Sequence, residues 1–255
     1  MKLRDTLNTL ENYNKMIEFN KKTISEFLAE ISALEDDERN GIQRHPNPNK
    51  EIIESSIQTI LMYQEDIMLA TYSAGYSIEV FSIEYTKTLE AMHKTWEHYG
   101  GYSTMLNMLS IAIMLDLREA QYELHKMFCD PKRQENFVIK DYLLDILFQQ
   151  CSFVAQVHVD FMIAKPYAIL REVYEFAQSN KVMAIKKLKS YLQNNWFSAL
   201  KRQDLIQETH KSPYGTHCGY WSFESGALVK ILGLDDSILK DQQYYPYDLV
   251  HYKES

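Results

Sequence analysis

At 255 residues with 45% hydrophobic side chains, the chain can bury a sizeable core in one large domain or two small ones. Its 8 glycines and 6 prolines are few for this length, which disfavours an all-β fold with many tight turns and favours long helices joined by short connections. The net charge of -8 repels nucleic acid and draws basic partners.

The opening MKLRDTLNTLEN alternates charged and apolar residues and has no continuous apolar core of the kind a secretory signal needs. Leu3, Leu7, Leu10, Ile17, Ile24, Leu28 and Ile31 recur at helical spacing, so one long amphipathic helix is expected, ending near Glu35-Asp36-Asp37-Glu38. Asn40-Gly41 through Pro46-Asn47-Pro48-Asn49 is a loop, because proline pushes the residue before it out of α geometry. A second helix starts near Lys50, carries Ile53, Ile57, Ile60, Leu61 and Met68 on one face, and stops at Tyr72-Ser73-Ala74-Gly75. Ile78, Phe81, Tyr85, Leu89, Met92 and Trp96 then make the stripe of a third, completing an αα-hairpin.

Tyr102 to Leu115 is apolar on nearly all sides and reads as a central helix. Its strongly apolar part, from Met108, is about half the length that would cross a bilayer. Helices are expected over Leu117–Phe128 and Val138–Phe148. Between them, Asp130-Pro131-Lys132 separates an N-terminal part, 1–130, from a C-terminal part, 131–255, within one compact unit. Pro166 suits the first turn of a helix running to Ala177, and the polar Gln178-Ser179-Asn180 turn leads into another bearing Val182, Ile185, Leu188 and Leu192. A last helix, Tyr220 to Leu232, ends at Gly233, after which Asp235 can cap one short turn before an aromatic tail. The expected fold is all-α, a multi-helix bundle of αα-hairpins with a long N-terminal helix.

Chemistry-bearing motifs are scarce. The three cysteines are odd in number and lack a CxxC spacing, which suits free thiols in a reducing cytoplasm. The eight histidines show no HExxH or other paired spacing, so no metal is expected. There is no GxSxG elbow and no glycine-rich phosphate loop, hence no cofactor. His217-Cys218 sets a base beside a thiol, yet catalytic Cys-His pairs meet through the fold, and a capping or loop role fits better. The lysines at 181, 186, 187 and 189 read as a solvated helix face.

Glu224 lies on the apolar stripe with Tyr220, Ala227, Leu228 and Ile231, where a charge is costly unless partnered. It reads as an acceptor tying down nearby amide or hydroxyl groups; the alternative is a general base with a raised pKa. No second acid or nucleophile stands beside it in sequence, so no catalytic residue is assigned.

The C-terminal quarter carries a specific pattern: Tyr214-Gly215; Gly219-Tyr220-Trp221-Ser222-Phe223-Glu224; Val229 through Gly233-Leu234-Asp235-Asp236-Ser237; and Tyr244-Tyr245-Pro246-Tyr247-Asp248-Leu249. In that order these resemble the PoNi-type immunity proteins of bacterial polymorphic toxin systems, and Tyr72-Ser73-Ala74-Gly75 extends the likeness into the N-terminal half. The resemblance implies a cytoplasmic, non-catalytic, all-helical protein that binds and neutralises a cognate DNase toxin of a type VI or similar delivery system. It also makes Trp221, Glu224, Gly233, Asp235, Tyr245, Pro246 and Asp248 scaffold residues. The candidate partner-binding residues are Glu35, Asp36, Asp37 and Glu38, an acidic run that could occupy a DNase's positive cleft. A helical adaptor without a toxin partner is the other reading, and an enzyme using Glu224 or His217-Cys218 a third.

Overall fold

The computed structural model describes residues 2–153 and 156–253 and, among them, shows helices and turns without a strand. The fold is all-α, and it divides into two compact units, one of residues 1–96 with 209–219 and one of 97–208 with 220–255.

The first unit is built on α1 (Leu10–Arg39), α2 (Asn49–Ser73) and α3 (Ile78–Thr95). Tyr13 and Ile17 of α1 bury against Ile67 and Ala70 of α2 with Ala74, and Leu3, Leu10, Met16, Ile24 and Tyr76 pack around them. Each large side chain removed from water in this way contributes about 1.5–3 kcal/mol before entropy is counted. Glu84 of α3 joins all three helices: it accepts from Gln64 Nε2 of α2 at 3.0 Å and pairs with Lys21 of α1 at 3.0 Å and Lys87 at 3.2 Å. Those three donors hold the Glu84 carboxyl below its ordinary pKa even though burial acts the other way.

One boundary differs from the spacing of leucines. The helix starts at Leu10, capped by Thr9 Oγ1 accepting from Asn12 N, and residues 2–9 are not helical. Asp5 Oδ1 takes the amide of Leu7, and the amides of Arg4 and Asp5 go to Ser73 O. Side-chain and tertiary partners therefore claim the donors that a longer helix would need. Leu3 still packs on the core, from a non-helical segment.

The second unit contains α4 (Tyr102–Met114), α5 (Arg118–Cys129), α6 (Tyr142–Gln150), α7 (Ala164–Tyr167), α8 (Ile169–Ala177), α9 (Lys181–Tyr191), α10 (Phe197–Arg202), α11 (Phe223–Leu232) and α12 (Tyr247–Val250). As its composition predicts, α4 is buried nearly all round, and α11 packs along it. The helix expected from Val138 begins only at Tyr142. Asp141 caps it, taking Leu144 N at 2.9 Å on one oxygen and Met162 N at 2.8 Å on the other. Pro166 lies within the short α7, where Lys165 is not helical, so the expected helix is two pieces. A π-type turn over Leu192–Trp196 joins α9 to α10 and turns Trp196 inward.

Candidate functional site

The expected acidic run closes the C-terminal end of α1, where helix carbonyls lack intrahelical donors and a carboxylate opposes the helix dipole. Asn40 answers the carbonyls, its backbone N–H reaching Asp36 O and Asp37 O and its side chain Asp36 O. Glu35, Asp36 and Glu38 are exposed, whereas Asp37 is buried at 2% exposure. Arg44 pairs with Asp37, a terminal nitrogen donating to Oδ1 at 2.6 Å, with Nε 2.5 Å from Oδ2 in an ion-pair contact that lacks hydrogen-bond geometry. Asp36 is paired with Arg39, and Glu38 lies 3.9 Å from Lys50. Asp37 therefore braces the α1–α2 loop, and three carboxylates of the run face outward. Spacing along the helix could have hinted at this, because position 37 continues the buried series Ile17, Asn20, Ile31 and Leu34.

The signature residues lie together in the second unit. Glu224 is 1% exposed in the first turn of α11 and accepts hydroxyl hydrogens from Tyr191 at 2.8 Å and from Ser222. Burial pushes the Glu224 carboxyl up, and these hydroxyls partly hold it down. The indole of Trp196 also favours its ionised form, although the Trp196 N–H makes no hydrogen bond of ordinary geometry. Glu224 bonds no thiol, imidazole or second carboxyl among the described residues, so its geometry is that of an acceptor holding α9 to α11.

Gly233, at φ 57°, ends α11 in the left-handed region that glycine adopts without strain. Asp235 is exposed and takes the amide of Ser237 at 3.0 Å. That bond lowers the Asp235 carboxyl. Asp236, which follows, is buried and accepts from Tyr245 Oη at 2.7 Å, while His251 Nε2 lies 2.8 Å from its other oxygen. Pro246 is buried against α11 where Gly226 leaves room: a Cβ there would lie 2.9 Å from Pro246 Cγ and 2.3 Å from Met114 Sδ. Trp221 is half-buried just before α11, and Asp248 is exposed in the first turn of α12. Aromatic rings close this region, with Tyr244 stacked on Phe197 at 5.3 Å and 5.0 Å from Trp196.

His217 and Cys218, neighbours in sequence, take separate partners. Both nitrogens of His217 are occupied, Nδ1 by Thr209 Oγ1 at 2.8 Å and Nε2 by Asp5 Oδ2 at 2.8 Å. A hydroxyl, an imidazole and a carboxylate in line have the parts of a nucleophilic triad. The ring is only 1% exposed, however, and Asn8 fixes the same segment through the carbonyls of Gly215 and His217. The line clamps 209–219 onto the N-terminal segment. Cys218 Sγ instead lies 3.2 Å from Asp66 Oδ1, and desolvation with that charge pushes the thiol well up, away from a reactive thiolate. The Asp5–His217 clamp links positions 212 apart and leaves no short-range signal in the sequence.

The fold is that of a solved helical protein, "Protein PA2201 from Pseudomonas aeruginosa", at a TM-score of 0.60 and 17% identity, covering 99% of this chain and 98% of that one. Among curated proteins none matches the sequence significantly. Residues 4–126 match the family "PoNe immunity protein (PoNi), N-terminal" and residues 139–249 match "PoNe immunity proteins (PoNi), C-terminal". The chain belongs to the PoNi family of immunity proteins, whose partner is a toxin protein.

Proposed function

We propose that the protein binds and neutralises a cognate DNase toxin in the cytoplasm of the cell that makes it, and that it does so by covering the surface through which DNA reaches the toxin. The delivery route consistent with this reading is a type VI or similar secretion system. Catalysis has no part in it. Immunity follows from occupancy, because a nuclease must present positive charge to phosphates and an acidic protein competes for that charge.

The observation that supports this reading most directly is the charge of α1. The helix carries eight carboxylates (11, 18, 26, 30, 35, 36, 37 and 38) against four basic side chains (15, 21, 22 and 39), a net of -4. Glu35, Asp36 and Glu38 place three of those carboxylates outward at one end, with Asp37 and Arg44 holding that end in shape. No helix among the described residues is long and apolar enough to cross a membrane.

The test is co-expression of the full chain with DNase toxin domains, that encoded by the adjoining reading frame first. Survival is scored, followed by co-purification and DNA cleavage by the purified toxin. The expected result is protection, a stable complex and loss of cleavage. Protection without a complex would remove occlusion as the mechanism, and an intact complex that still cleaves DNA would do the same.

A further inference from the structure

We infer that the core of the second unit binds water, which bridges the Trp196 N–H to the Glu224 carboxylate and the Tyr102 hydroxyl to the Asp141 carboxylate. The site lies inside the fold and does not depend on the toxin-neutralising reading above.

Several elements of the unit converge on these groups. Tyr102 opens α4, Asp141 caps α6, Tyr167 ends α7, Trp196 closes the π-type turn after α9, and Glu224 lies in the first turn of α11. None of the five is more than 6% exposed. The rings of Tyr102 and Tyr167 are 6.0 Å apart. Burial, then the charges of Glu224 and Asp141, push the Tyr167 phenol well up, which sets Tyr167 within reach of both carboxyls. The turn that carries Trp196 departs from α geometry in the way frequent at functional sites.

Trp196 Nε1 and Tyr102 Oη are buried and have no hydrogen-bond partner among the described residues. Buried donors left unpaired are costly, and native structures pair nearly all of them with protein or with ordered water. Each of the two faces a carboxyl. Burial raises both carboxyls, and against it the indole helps hold Glu224 down and the Tyr102 hydroxyl helps hold Asp141 down. Neither donor reaches hydrogen-bond geometry, so the same gap occurs twice. Both acceptors have capacity to spare. Tyr191 and Ser222 take Oε1 of Glu224 and leave Oε2, while the Asp141 oxygens each give one lone pair to Leu144 N or Met162 N and keep another. The chemistry of the facing groups selects the ligand. An indole N–H only donates, so the bridging species must accept; a carboxylate only accepts, so the same species must also donate. A metal cation or an ammonium ion does not accept from an indole, and a simple anion does not donate to a carboxylate. Water does both, and it needs only two to four polar partners to be held in a protein interior.

The experiment is a crystal structure of the full chain at a resolution that shows ordered water, read together with the melting temperature of Tyr102→Phe. The expected structure has a water oxygen about 2.7–3.2 Å from both Trp196 Nε1 and Glu224 Oε2, and a second at the same distances from Tyr102 Oη and an Asp141 oxygen. Tyr102→Phe removes one hydroxyl and keeps the ring. If that hydroxyl is bonded through water, its loss should lower the melting temperature by about 2–4 °C, the shift one hydrogen bond gives in a chain of this size. If it is unpaired, its loss should raise the melting temperature. Tyr99→Phe, at a 77% exposed position of the same unit, should leave it unchanged and sets the baseline. Trp196 Nε1 and Tyr102 Oη bonded straight to the carboxylates, or no water density at either position, overturns the inference, and so does a Tyr102→Phe protein that melts higher than wild type.

Discussion

Glu224 and the carboxylates at the end of α1 are held in opposite ways. Glu224 is buried, pushed towards its neutral form, and surrounded by the hydroxyls of Tyr191 and Ser222. Glu35, Asp36 and Glu38 are exposed, with Asp37 turned inward onto Arg44 beneath them. A buried acid is constrained by every neighbour it has and can change only if they change too. An exposed one is constrained by little except a partner. The difference explains how the C-terminal pattern can identify a scaffold without showing where a toxin sits.

The comparison is broken most forcefully at Gly226. Its replacement by alanine sets a methyl 2.3 Å from Met114 Sδ and 2.9 Å from Pro246 Cγ. Overpacking of this kind costs about 1–3 kcal/mol or more. Thermal unfolding should show a fall of several degrees, with toxin affinity of the folded protein unchanged. Weakened affinity at full stability would mean that the α11 region touches the partner.

Glu224→Gln tests the buried carboxyl itself. Tyr191 and Ser222 both donate to one carboxyl oxygen, which glutamine can still supply, so only the second oxygen becomes a buried NH2 and a cost of about 1 kcal/mol is expected. The sign of its pH dependence follows from the upward shift. In the folded state Glu224 keeps its proton above pH 4.5, where the unfolded chain releases it, so its contribution to stability is present at low pH and is lost as pH rises through the folded pKa. The amide does not titrate. The stability gap between wild type and variant should therefore narrow as pH climbs from about the unfolded carboxylate value. Denaturant titrations at several pH values measure it, and a widening gap would mean that the carboxylate is better solvated than its burial implies.

Arg44→Ala addresses the support beneath the exposed carboxylates. It leaves Asp37 buried without its guanidinium, and a cost of about 1–3 kcal/mol is expected for that unsatisfied group. Arg44 is itself 61% exposed, which lets water reach the vacated side, so the lower end of that range is expected. Hydrogen exchange should speed up at the α1–α2 loop ahead of the rest of the first unit. Uniform loss of protection would show that this end is coupled to global unfolding.

How much of this was legible depends on the distance over which each residue finds its partner. The limits of α2 and α3, the nearly all-round burial of α4 and the left-handed end of α11 at Gly233 follow local rules of periodicity and capping, and the sequence expectations match them. Glu224 stood out because a charge on an apolar stripe demands partners, but Tyr191 as donor depends on how α9 meets α11. Leu3 and Leu7 misled, because their spacing continues the helical stripe while Asp5 and Thr9 take local amides and the Arg4 amide goes to the distant Ser73 carbonyl. Val138 misled similarly, since Asp141, three residues beyond the expected start, is the cap. The inward turn of Asp37 depends on Arg44 arriving from the following loop, and the Asp5–His217 clamp on two distant segments meeting.

The smallest effect on stability and the sharpest on function belong to Glu35, Asp36 and Glu38. Reversing these three to lysine while keeping Asp37 leaves its ion pair with Arg44 intact and alters only exposed side chains. Surface changes of this kind usually move stability by within about 0.5 kcal/mol, and new positive charge at a helix C-terminus is locally favourable. Any loss of toxin binding can then be read as loss of contact or steering, because the fold gives no reason for it. If these carboxylates face a positive cleft, the reversed protein should associate at least tenfold more slowly at low salt, and the gap should close as salt screens both forms. Stopped-flow association at two ionic strengths distinguishes the cases. Equal rates at both would place the cleft-facing charge elsewhere on α1, with the exposed Glu18 and Glu30 the next carboxylates to reverse.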